Sequence, residues 1–99
     1  MSRPFYSEYI KHCMRFYSRN LHITHFKTPT DEMNWKACHE VILALPDKTK
    51  DILVSVYGGY DTLGDEVYNA ARKYHVNQNI IWDMMKVFER TVAEHRGLI

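Results

Sequence analysis

The fold of this 99-residue chain is decided by Ala70-Ala71-Arg72-Lys73-Tyr74-His75-Val76-Asn77-Gln78-Asn79-Ile80-Ile81-Trp82. Leu63, Val67, Ala70, Ala71 and Tyr74 recur at the three- and four-residue steps of an amphipathic helix. His75-Val76 breaks that period. Asn77, whose side chain can accept from an orphan backbone N–H, then reads as the cap of a second helix, with Ile81, Met84, Met85, Phe88 and Val92 as its inner stripe down to about His95. Two helices joined by so short a turn match the helix-turn-helix arrangement, in which a supporting helix braces a second one crosswise. Such a crossing needs a small residue where the helices approach and an apolar plug in the turn, which Ala71 and Val76 supply. Ile81 and Met84 stand where inward-facing apolar residues are required. His75 falls where the chain must turn, and His enters the left-handed region more readily than most residues.

Upstream, Asp61 or Thr62 is placed to cap the helix at Leu63, and Gly58-Gly59, read as adopting positive φ, ends the helix before it. That helix runs from Asp47 to Tyr57, opens behind Pro46, and buries Ile52, Leu53, Val56 and Tyr57. Before Pro46, Thr30 is expected to cap a helix whose apolar face is Trp35, Ala37, Cys38, Val41, Ile42 and Leu45, with Asp31 and Glu32 at its positive end. Residues Asn20 to Thr30 hold no helical period and read as a linker carrying His22 and His25, Pro29 disfavouring helix at Thr28. The first helix is expected from Pro4 to Arg19, with Ser2 or Arg3 leading into it and Phe5, Tyr6, Tyr9, Ile10, Cys13, Phe16 and Tyr17 on its apolar side. No internal repeat and no β alternation appears. The expected architecture is therefore all-α, a small bundle of about five helices forming one domain over 1–99. Residues 1–45 supply the N-terminal helices and linker, and 46–99 the helix-turn-helix region.

Composition agrees with a single packed core: 45% of residues are apolar and 13% aromatic, enough at this length without disulfides or metal. Cys13 and Cys38 fall inside helices without disulfide or CxxC spacing, so reduced, buried thiols are expected. The longest apolar run, Val41 to Leu45, is far too short to span a bilayer, and the N-terminus lacks the apolar stretch of a signal peptide, so a cytoplasmic location is expected. No phosphate loop, nucleophile elbow or HExxH occurs, and scattered acids on helices are ordinary solvated faces, so no enzyme is expected. His22-x-x-His25, even beside His12, Cys13, Cys38 and His39, is too weak a pattern for zinc, and neither metal nor cofactor is expected. The net charge of +1 is unevenly spread: residues 1–28 carry +4, residues 29–65 carry −4 and residues 66–99 carry +1. One basic and one acidic face follow.

The second half resembles the fourth conserved region of bacterial sigma factors and related phage and mobile-element regulators. The likeness begins at Leu45-Pro46-Asp47 ahead of the Ile52-Leu53-x-x-x-Tyr57 helix, passes through Gly59 into Ala70 to Trp82, and continues to Phe88-Glu89-Arg90, covering about half of the chain. The resemblance implies a sequence-specific regulator of transcription that binds double-stranded DNA. It implies that the start of the last helix enters the major groove and leaves Asn77, Gln78, Asn79, Trp82 and Lys86 facing outward. Asn and Gln can pair with adenine edges, and Trp82 can pack on a thymine methyl or the sugar backbone. Arg72, Lys73 and Arg90 would meet phosphates and set the register. Asp83 on the same helix is unfavourable near phosphate unless it accepts from cytosine.

Other partners are read from the rest of the chain. The aromatic, Arg-bearing N-terminal helix fits a homodimer seam or a host protein partner, since Tyr and Arg are enriched at interface hot spots. The alternative to DNA binding is a small phage-type inhibitor or adaptor of a host defence nuclease or polymerase, its acidic middle from Asp47 to Asp65 meeting a basic groove.

Overall fold

The computed structural model describes residues 4–99, and the expected role of Ser2 or Arg3 lies outside the described residues. The chain is all-helical: α1 (Ser7–Arg19), α2 (Pro29–Leu43), α3 (Asp47–Gly58), α4 (Leu63–Tyr74) and α5 (Gln78–His95). Among the described residues there is no strand.

Local expectations at three places, the start of α1, the two ends of α2 and the end of α3, need correction. α1 begins at Ser7 rather than Pro4, because the first residues form a turn in which Ser7 N–H donates to the Pro4 carbonyl at 3.0 Å. α2 is capped by Thr28, not Thr30. Thr28 is extended, with φ −139° and ψ 155°, and its hydroxyl accepts from Asp31 N–H at 3.1 Å. Pro29 lacks an N–H and has its φ preset, so it sits at the first helical position and pushes the cap one residue before itself. α2 also stops at Leu43, and Leu45 reaches the core from the turn that follows.

The third correction concerns Gly58-Gly59. Gly59 has φ −71° and ψ 163°, so α3 ends without a left-handed residue. The Glu66 carboxylate lies where a Cβ on Gly59 would fall, so a side chain there would have to displace that carboxylate. Arg19 fixes the same loop from α1: its Nη2 donates to the Gly59 carbonyl at 2.6 Å and its guanidinium lies 4.4 Å from the Tyr60 ring centre.

α1 packs against α2, α3 and α5; α3 packs against α4 and α5; α2 and α4 also touch α5. The inner stripes meet as Ile10, Met14, Ile42, Ile52, Leu53, Tyr57, Val67, Ile81, Met85 and Val92, all fully buried. Two polar knots cross this core. Glu89 of α5 accepts from Ser7 Oγ at 2.9 Å and Tyr57 OH at 2.6 Å, with Lys11 Nζ at 3.5 Å, and so ties α1 and α3 to α5. Buried Asn34 exchanges hydrogen bonds with Tyr9 OH and accepts from Arg96 Nε at 2.6 Å. Trp35 stacks on His39 at 4.6 Å, while the Tyr17 hydroxyl lies 2.9 Å from His39 Nδ1.

Cys13 and Cys38 are free and buried. Burial pushes the Cys13 thiol up to about 11 and the Cys38 thiol up to about 12. Among the described residues no helix is long and apolar enough to cross a membrane.

Candidate nucleic-acid interface

The link between α4 and α5 is only His75, Val76 and Asn77. Thr62 starts α4, its hydroxyl accepting from Asp65 N–H at 3.2 Å, and Val67, Ala70 and Ala71 turn its apolar side inward. At the far end His75 is left-handed, with φ 57° and ψ 45°. It is the one non-glycine residue at positive φ among those described. The Val76 N–H then returns to the Ala71 carbonyl at 3.1 Å, the six-to-one bond of a Schellman turn. This bond swings the Val76 side chain under the turn, where it packs half-buried against the core.

α5 starts immediately. The Asn77 side chain accepts from Asn79 N–H at 2.8 Å, satisfying one of the orphan donors of the first turn. Ile81, Met85, Phe88 and Val92 are buried. Met84, expected on the inner stripe, lies at its edge and is half-buried. The other side of the helix faces solvent.

The residues expected to contact DNA are all exposed, but they divide into two groups. Asn77, Gln78 and Asn79 share one shallow groove of about 500 Å³ with Arg72, Ala71, Val76 and Tyr68. Arg72 is held there by its own helix: Nη1 is 3.5 Å from Tyr68 OH, and the guanidinium lies 5.8 Å from the Tyr68 ring centre. Three side-chain amides and a positioned guanidinium thus line one surface, next to the positive end of the α5 dipole. Trp82, 39% exposed, and Lys86 continue outward along α5. Lys73 instead lies over Tyr74, 5.3 Å from its ring centre. Arg90 pairs with Glu94 at 3.4 Å on the exposed helix surface. It stands twelve residues beyond Gln78, about 18 Å along the axis, so it and the leading turn would meet well-separated parts of any ligand.

Sequence reasoning missed Tyr68 as the companion of Arg72, although the spacing of four that brings them together is a usable signal. It missed Ile80 and Val87, which α5 exposes at 50% and 67%. Glu89 was expected among solvated acids, yet it is buried. Its partners Ser7, Lys11 and Tyr57 come from segments 32 to 82 residues away, so no local pattern announces it. His22 and His25 are exposed in the α1–α2 loop, and among the described residues no three His, Cys, Asp or Glu side chains gather as for a metal. Comparison with known protein families, with curated proteins and with solved structures returned no match.

Proposed function

We propose that the chain is a sequence-specific DNA-binding regulator in which α4 supports α5 and the leading turn of α5 reads base edges in the major groove. The observation that carries this reading is the turn. A left-handed His75, the Val76 plug bonded back to Ala71, and an Asn77 cap place Asn77, Gln78, Asn79 and Arg72 on one open surface. Exposed amides beside a guanidinium suit a polar ligand, and bidentate amide pairing to adenine is the chemistry they offer. Arg72 and Lys86 would supply phosphate contacts on either side. The likeness to sigma-region-4 regulators of phages and mobile elements supports the same conclusion. Lys73, Trp82 and Arg90 extend the contact surface along the two helices.

The test is a binding selection from a genomic fragment library, followed by salt titration on the recovered duplex. The Arg72→Ala, Lys86→Ala double variant is expected to weaken binding and to flatten the plot of log K against log salt by roughly two units. Failure to retain any duplex, or an unchanged salt slope in the double variant, would sink the proposal.

A second reading, a protein-binding inhibitor or adaptor, draws on one other feature. Tyr17, Leu21, His39, Ile42, Leu43 and Val54 line an apolar groove of about 470 Å³ whose charged lining is Asp51 and Lys50. Recovery of a stoichiometric protein partner without DNA would favour it.

A further inference from the structure

α5 carries an apolar row that its own fold leaves open. Ile80, Met84, Val87 and Thr91 follow one another at steps of four, three and four residues, which aligns them along one side of the helix. Ile80 and Val87 are exposed, whereas Met84 and Thr91 are half-buried at the margin of the core. Single exposed apolar residues are ordinary, but this spacing over two heptads is that of a coiled-coil seam.

The charges beside the row indicate what covers it. Asp83 and Arg90 stand one heptad apart on the same flank. Asp83 is exposed and forms no ion pair among the described residues; Arg90 has only its solvent-screened pair with Glu94. A two-fold interface must be self-complementary. Two α5 helices packed parallel would set the Asp83 and Arg90 flank of each against the opposite flank of the other, where Ile81 and Phe88 are buried in their own core, and would leave both charges unpaired. Packed antiparallel about a point between Met84 and Val87, they set Met84 against Val87 of the second copy and Ile80 against Thr91. Asp83 then falls beside Arg90 of the second copy, twice by symmetry. The charge pattern therefore selects one partner and one orientation.

We infer that the Ile80–Met84–Val87–Thr91 row is a self-association seam on which a second copy of this chain packs antiparallel. The seam lies on the same helix as the proposed DNA-contact surface and shares Arg90 with it, so it is tested in the absence of DNA. Two heptads make a short seam, so the dimer is weak and dissociates on dilution.

Sedimentation equilibrium of the full chain without DNA, from about 1 to about 500 µM, tests this. The wild type is expected to show a monomer–dimer equilibrium. Val87→Lys and Asp83→Arg are each expected to weaken it by roughly tenfold or more, and Asp83→Arg combined with Arg90→Glu to restore it to within about threefold of wild type. All three positions are exposed, and circular dichroism verifies the helical fold of each variant. A wild type that stays monomeric throughout overturns the inference. So does a dimer indifferent to Val87→Lys, or a double charge exchange no better than Asp83→Arg alone.

Discussion

The Tyr57 hydroxyl donates a 2.6 Å hydrogen bond to Glu89 Oε2 inside the core, between α3 and α5. Ser7 and Lys11 of α1 meet the other carboxylate oxygen. Removing one member of such a cluster strands the rest without water to replace it. Glu89→Ala is therefore expected to destabilise the fold by about 3–5 kcal/mol, measured by urea unfolding, because Lys11 and Tyr57 lose their shared acceptor in a buried site. Glu89→Gln keeps an acceptor for one hydroxyl and should cost less. Equal, small losses for both variants would show that the cluster contributes little.

His75 occupies the left-handed region with a Cβ, which costs roughly 1–2 kcal/mol that glycine avoids. His75→Gly should recover up to about 1 kcal/mol, part of the gain being lost to the greater freedom of glycine in the unfolded chain. His75→Val, β-branched at the same angle, should lose stability. Thermal unfolding of the two variants must move in opposite directions.

The buried thiols give the fold an alkaline limit. Cys13 and Cys38 are raised from an ordinary 9.0 to about 11 and about 12, in both cases chiefly by burial, and burial also raises Tyr57, reinforced by Glu89. The folded chain thus holds protons that the unfolded chain releases. This stability is fully present below about pH 9 and declines as pH rises towards the folded-state values, by about 1.4 kcal/mol per pH unit for each thiol. Urea midpoints should fall from pH 9 upward, and Cys38→Ala should make that fall shallower. A Cys38→Ala profile parallel to wild type above pH 9 would remove the thiol from the explanation.

The polar–apolar period and the capping chemistry made most of the fold legible before any coordinates. Asn77, Thr62 and the His75 break sit where the sequence places them because each acts within four residues of chain. The Thr28 cap was misplaced for a local reason as well: Pro29 does keep helix from Thr28, as read, but it also sits at the first helical position and so makes Thr28 the cap. Gly59 and Glu89 were misread for a different reason. Gly59 answers to a side chain from the next helix, and Glu89 to partners from α1 and α3. Tertiary contacts of that kind leave no periodic trace. At the candidate interface the exposed amides were foreseen, whereas the apolar Ile80 and Val87 beside them were not, since an amphipathic pattern assigns such residues inward by default.

α5 is rooted unevenly, and this has a consequence for how its surface can change. Phe88, Glu89, Val92 and Ala93 bury its second half among α1, α2 and α3, while of its first two turns only Ile81 is fully enclosed. Gln78, Asn79 and Lys86, exposed on the surface, can consequently be replaced at a cost within about 0.5 kcal/mol each. The scaffold thus behaves as a fixed handle with an interchangeable tip, whose side chains can change at these few positions while the chain folds as before.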